Sequence, residues 1–135
     1  MAHGKIGQSP EADLVDRYIE RAQWPVKITE LAEGGGKIPP LPPRTKVVAL
    51  DETGQQFSSV SLARQLQTWR DGGATEIRFL IGGADGLSDE ERAGADMLLA
   101  FGKVTWPHKM ARAMLAEQLW RASSILANHP YHREG

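Results

Sequence analysis

The chain has 135 residues, 41% of them hydrophobic and 24% charged, with a formal net charge of −1. That length and balance fit one domain with a single core, and set aside disordered and membrane-spanning classes. With no cysteine in the sequence, a disulfide framework, a thiolate metal site and thiol catalysis are all excluded.

Ser9, Pro10, Glu11 and Asp13 give an N-cap, a proline at the first helical position and acids favoured by the helix dipole. They predict a helix running to about Gln23, with Val15, Tyr18, Ile19 and Ala22 as its buried stripe. From Val26 to Leu31 apolar and polar residues alternate, the pattern of a half-buried strand. Residues 33–45 hold three Gly and four Pro and predict a connecting loop. Its Gly34-Gly35-Gly36-Lys37 lacks the spacing and the final Ser or Thr of a phosphate-binding loop.

Lys46 to Asp51 is a short apolar run ending in an acid, followed by Thr53-Gly54, and predicts a buried strand entering a turn. Ser58 or Ser59 caps the next predicted helix, with Leu62, Leu66 and Trp69 on one face and Gly72-Gly73 as its stop. Glu76 to Ile81 predicts another strand, which runs into Gly82-Gly83-Ala84-Asp85-Gly86. Ser88 and Glu91 have capping-box spacing for a short helix, and Met97 to Phe101 is apolar enough for a further strand. Residues 102–107 lead into a last helix from about His108 to Ala127, expected to bury Ala111, Leu115, Leu119, Ala122 and Leu126 and to pair Glu117 with Arg121. Strand, glycine loop and helix in succession is the α/β pattern, with a parallel sheet flanked by helices.

Three features bear on chemistry. The glycine loop at 82–86 follows an apolar strand, and ligands gather at the carboxyl ends of strands in an open α/β sheet; the same glycines also suit a plain tight turn. Residues 101–135 carry five Lys/Arg against two acids, leaving 16 − 5 = 11 basic and 17 − 2 = 15 acidic residues before them. A basic quarter of this kind can attract phosphate, although a solvated helix face with ordinary charges is the commoner explanation. The tail concentrates His129, Tyr131, His132 and Arg133 where chains usually fray. His108, His129 and His132 make a poor zinc set without a clear fourth ligand, and no Ser lies in a nucleophile elbow. For Trp106 and Trp120, packing is the reading preferred over base stacking.

The segments LIGGADGL (80–87), FGKVTWPHKMARAMLAEQLWRA (101–122) and NHPYHREG (128–135) resemble the signature of the ribosomal large-subunit pseudouridine methyltransferases of the SPOUT class. The resemblance is strong over 46–135 and looser over Gly4 to Arg21. It implies an α/β fold whose C-terminal segment threads a loop as a trefoil knot, a homodimer, S-adenosyl-L-methionine as cofactor and 23S rRNA in the ribosome as substrate, methylated at N3 of a pseudouridine. Carried over to this chain, Leu50, Gly82, Gly83, Phe101, Gly102, Lys103, Val104, Thr105 and Trp106 would surround the cofactor. His132 and Arg133 would act on the base, Arg133 stabilising the ring anion and His132 accepting the proton or bonding a base oxygen. His108, Arg112, Arg121, His129 and Tyr131 are the candidate RNA contacts. No metal, no membrane contact and a cytoplasmic location are expected. Gly4, Gly7 and Pro10 interrupt any secretory pattern early. Family members usually open with an apolar strand where this chain has only Met1-Ala2-His3, so that strand is expected to be truncated. Two rivals remain: a non-catalytic RNA-binding or structural dimer, and a related enzyme for another RNA such as tRNA.

Overall fold

Val47 and Val48, β-branched and flanked by apolar neighbours, form the buried centre of β3 (Thr45–Gln56) in the computed structural model, which describes residues 2–3, 9–22, 24, 30–31, 41–82, 86–102 and 106–127. β3 pairs in parallel with β4 (Glu76–Leu80) on one side, Val48 opposite Phe79. On the other side it pairs in parallel with β5 (Met97–Ala100), Val48 opposite Met97. Because side chains alternate across a sheet, one set faces each way. Val48, Phe79 and Leu99 point to one core; Val47, Ala49 and Leu80 join Leu87 in another. Burial on both faces is what an all-parallel sheet requires.

The crossovers follow from this order. α2 (Ser59–Asp71), capped by Ser58 Oγ accepting from the Ser61 N–H at 3.0 Å, carries the chain from β3 to β4 and buries Leu62, Ala63 and Leu66 against the first core. The step from β4 to β5 runs the opposite way along the sheet, so a right-handed connection must cover the other face. It passes through Leu87 and α3 (Asp89–Ala93), whose predicted capping box forms: Ser88 Oγ accepts from the Glu91 N–H at 3.1 Å and the Ser88 N–H donates to Glu91 Oε1 at 2.9 Å. Just before β5, Asp96 grips β3 twice. Its N–H donates to the Val47 carbonyl at 2.8 Å and its Oδ2 accepts from the Val47 N–H at 2.7 Å.

β3 does not end at Asp51 as the apolar run suggests. Residues 51–54 leave the ladder, and Gln55 and Gln56 rejoin it opposite Leu99 and Ala100, so Leu99 lies opposite both Leu50 and Gln55. The sequence Thr53-Gly54 marks this excursion, not a turn. Gly54 is there for space: a Cβ would lie 2.6 Å from the Leu98 carbonyl carbon.

α1 (Pro10–Arg21) begins as predicted, with Ser9 Oγ accepting from the Ala12 N–H at 3.1 Å and Pro10 in the first turn, and it ends at Arg21. α4 (His108–Leu126) packs against both it and α2. Val15 meets Ala113 and Ala116, while Leu115, Leu119 and Ala122 meet α2 and the strands. With neighbours on two sides, α4 buries Arg112, Ala113, Ala116, Ser123 and Ser124 besides the expected Leu115, Leu119 and Ala122. Ala111 and Leu126 are only half-buried, because a single-face stripe misjudges a helix covered on two sides. Each fully buried leucine here contributes about 2 kcal/mol on leaving water.

At the N-terminus the described residues form a strand two residues long. β1 (Ala2–His3) pairs in parallel with β2 (Glu30–Leu31), and Ala2, 2% exposed, bridges to Ile81 at the end of β4. Through that bridge the strands run β2-β1-β4-β3-β5, all parallel. The rest of the strand predicted over 26–31, and the loop from 33 to 40, lie outside the described residues. No described helix is long and apolar enough to cross a membrane.

Candidate cofactor site at the carboxyl ends of the strands

Three adjacent parallel strands bring Leu50, Gly82 and Phe101 to one region of the sheet: Gly82 and Phe101 follow the last residues of β4 and β5, and Leu50 is the last residue of β3 before its ladder shifts. Leu50, Ile81 and Phe101 all pack on the core shared with α4. Segments far apart in sequence thus converge where α/β sheets hold ligands.

The turns at this edge are shaped by close backbone approach. A Cβ on Gly82 would lie 2.5 Å from the carbonyl carbon of Gly86 and 2.7 Å from the Leu87 nitrogen, so the backbone at Gly86 and Leu87 comes close against Gly82. At Gly86 (φ +75°) and Gly102 (φ +100°) the backbone is left-handed and the space a side chain would occupy is open. Leu50 and Phe101 are half-buried in the same region.

The segment after β5 is closed by an indole. Trp106 Nε1 donates to the Phe101 carbonyl at 2.9 Å, bracketing residues 101–106. Trp106 is 40% exposed, so it does not pack in the core of the single chain. Gly83, Lys103, Val104 and Thr105 of the candidate set lie outside the described residues, as do His129, Tyr131, His132 and Arg133 of the tail.

The candidate RNA contacts on α4 fare unequally. His108 occupies the first turn of α4, half-buried, and its Nδ1 is buried without a hydrogen-bond partner among the described residues. Arg112, one turn on, is 4% exposed and so does not present its guanidinium to RNA here; α4 is covered on that side as well as on its predicted stripe. Arg121 makes the predicted pair with Glu117, Nε to Oε1 at 2.7 Å, in a half-buried setting. The basic C-terminal quarter is therefore largely internal or neutralised among the described residues.

Sequence reading missed a cleft of about 310 Å³ between α1 and α4, lined by Leu14, Tyr18, Phe101, Met110, Met114 and Glu117 among others. Nearby, the Tyr18 and Trp120 rings stack at 5.4 Å and the Arg21 guanidinium sits 5.2 Å from the Trp120 ring centre. The available signal was the surplus of apolar residues on α4, whose Met110, Met114 and Trp120 exceed one stripe.

Comparison with known proteins agrees with this geometry. The family model described as predicted SPOUT methyltransferase matches residues 1–132. The chain is 62% identical over 135 residues to the ribosomal RNA large subunit methyltransferase H of Rhizorhabdus wittichii, covering 100% of this chain and 96% of the relative. The protein of that name from Erythrobacter litoralis is likewise 62% identical, with the same coverage. The one from Bradyrhizobium diazoefficiens is 44% identical over 98% of this chain and 96% of its own. The glycine turns that follow β4 and β5 thus sit on a chain that belongs to the SPOUT methyltransferases, in the family of the ribosomal RNA large subunit methyltransferase H proteins.

Proposed function

We propose that this protein transfers a methyl group from S-adenosyl-L-methionine to N3 of a pseudouridine in 23S rRNA. The observation that carries the reading is full-length identity of 62% to a protein whose name states large-subunit ribosomal RNA methylation. The convergence of Leu50, Gly82 and Phe101 at one sheet edge supports it.

In this reading the cofactor lies against Leu50, Gly82, Gly83 and the segment Phe101 to Trp106, including Gly102, Lys103, Val104 and Thr105. The sulfonium, when bound, supplies an already activated methyl group, so the chain's own task is positioning and proton removal. Peptide groups of the glycine turns bond the adenine edge, and Leu50 with Phe101 excludes water from it. The N3–H of the base must lose its proton as the N–C bond forms. Arg133 stabilises the negative charge on the ring and His132 accepts the proton. His108, Arg121, His129 and Tyr131 are the proposed contacts to RNA; Arg112, being buried, is not among them.

The assembly we propose is a knotted homodimer in the cytoplasm, using the outer side of α1 and α4. Half-buried Tyr18, Met110, Met114, Trp120 and Ile125 provide the apolar surface, more than a single small domain covers. Light scattering at micromolar concentration is expected to give twice the 14.8 kDa chain mass.

The deciding experiment is mass spectrometry of rRNA nucleosides from a strain lacking the gene, before and after complementation. The methylated pseudouridine should vanish and return. A protein lacking Tyr131 to Gly135 should fail to restore it, a loss of about 10²–10⁴-fold in rate from removing acid–base groups, while its cofactor affinity stays within a few-fold. Full activity in the truncated protein would remove His132 and Arg133 from the mechanism.

A further inference from the structure

The opposite edge of the sheet holds a second cleft, at the amino end of β3. It encloses about 370 Å³ and is lined by Arg44, Lys46, Thr68, Trp69, Gly72 and Gly73 among others. Thr45 and Leu50 are five residues apart along β3, so this cleft lies about 17 Å from the cofactor edge at roughly 3.3 Å per residue.

Its rim is built around an unfavourable backbone. Arg44 has φ of 60°, the left-handed region in which glycine would be the easy choice. The turn is tied down at three successive carbonyls. Thr45 Oγ1 donates to the Pro42 carbonyl at 2.8 Å, Thr75 Oγ1 to the Pro43 carbonyl at 2.9 Å and the Thr75 N–H to the Arg44 carbonyl at 3.0 Å. A cationic side chain kept in a conformation that favours glycine, and held there by the surrounding hydrogen bonds, points to a use for the charge.

That charge is uncompensated. Arg44 is exposed and Lys46 half-buried, and among the described residues neither forms an ion pair. The nearest acids in sequence do not line the cleft, and Glu76 is already engaged by Arg78 at 3.0 Å. Two cations, an exposed threonine and the half-buried ring of Trp69 make a surface complementary to a sugar–phosphate backbone.

We infer that the cleft formed by Arg44, Lys46, Thr68 and Trp69 is a second RNA contact, gripping the ribosomal RNA backbone some 17 Å from the site of methyl transfer. This inference rests on the proposed ribosomal substrate. It gives the chain a grip independent of the buried Arg112 and the ion-paired Arg121 of α4. The contact carries no sequence information; it fixes orientation and adds affinity.

The test is equilibrium binding of the full chain to ribosomes lacking the methyl mark, across a salt series. Arg44→Gly combined with Lys46→Gln removes both charges while easing the left-handed turn. It should weaken binding about tenfold and reduce the slope of log affinity against log salt by roughly 1.4, at about 0.7 per lost single-strand phosphate contact. S-adenosyl-L-methionine affinity and the unfolding midpoint should not fall. Thr68→Lys and Thr68→Glu, on the exposed helix wall, should strengthen and weaken binding respectively, and they keep the test open should the double variant lose stability. Binding within twofold of the parent across all three variants, or a parent chain with no affinity for ribosomes, overturns the inference. Methyl transfer is scored in parallel: a chain that binds through this cleft yet transfers no methyl refutes the proposed reaction and leaves the contact standing.

Discussion

The two ends of the β4-β3-β5 sheet are built from different materials. At the carboxyl end the shaping groups are peptide units, brought close by Gly54, Gly82 and the open turns at Gly86 and Gly102. At the amino end they are side chains: the Asp96 carboxylate on the Val47 N–H, the threonine hydroxyls on Pro42 and Pro43, and the cations of Arg44 and Lys46. A backbone-built edge tolerates little added bulk and is indifferent to charge. A side-chain-built edge responds to charge and hydrogen bonding one residue at a time.

Adding atoms at the carboxyl end should therefore do the most damage. Gly82→Val puts a branched side chain where a Cβ alone meets backbone at 2.5 Å, against main chain that cannot rotate away. A loss of about 3 kcal/mol in urea unfolding is expected, together with loss of S-adenosyl-L-methionine binding by calorimetry. Unchanged cofactor affinity would show that the glycine loop is only a turn. Gly54→Val meets the Leu98 and Leu99 backbone at 2.6–2.8 Å and should cost about as much or slightly less, since only the edge strand β5 must give way. Its signature would be early hydrogen exchange at β5 amides, with β4 still protected.

Removing atoms at the amino end should cost less. Asp96→Ala takes away the charged acceptor of the Val47 N–H, a loss of about 1–2 kcal/mol, with cofactor affinity unaltered. Asp96→Asn should recover part of it, because the amide oxygen can still accept. A cofactor defect as large as that of Gly82→Val would break the proposed separation of the two ends. Smallest of all, and away from the amino end, Ser88→Ala removes only a hydroxyl: it opens the capping box of α3 and should lower stability by about 1 kcal/mol, as read from the thermal midpoint.

The same division explains what the sequence could and could not reveal. The α/β order, the caps at Ser9, Ser58 and Ser88 and the Glu117–Arg121 pair are local features, and they were legible because neighbours in sequence determine them. The candidate segments at 80–87 and 101–106 were singled out through motif resemblance, and the sheet order brings Leu50, Gly82 and Phe101 together. The continuation of β3 past Asp51 was not legible, since Gly54 owes its identity to the approach of Leu98, 44 residues later. Nor was the burial of Arg112 or the exposure of Trp106. Both depend on how α4 and the segment before it pack against elements distant in sequence.

The position of α4 in the middle of the packing also constrains how the protein is made. Val15 on α1 has its buried partners in Ala113 and Ala116, and Leu62 and Leu66 on α2 share a core with Leu115 and Leu119. Translation proceeds at roughly 5–20 residues per second, so α1 leaves the ribosome several seconds before the residues that cover it. During that interval its apolar side, and one face of the nascent sheet, stay wet. Folding of this chain is thus completed only once α4 has been made, and the chain before that point is the species most exposed to aggregation and to chaperones that hold unfinished chains.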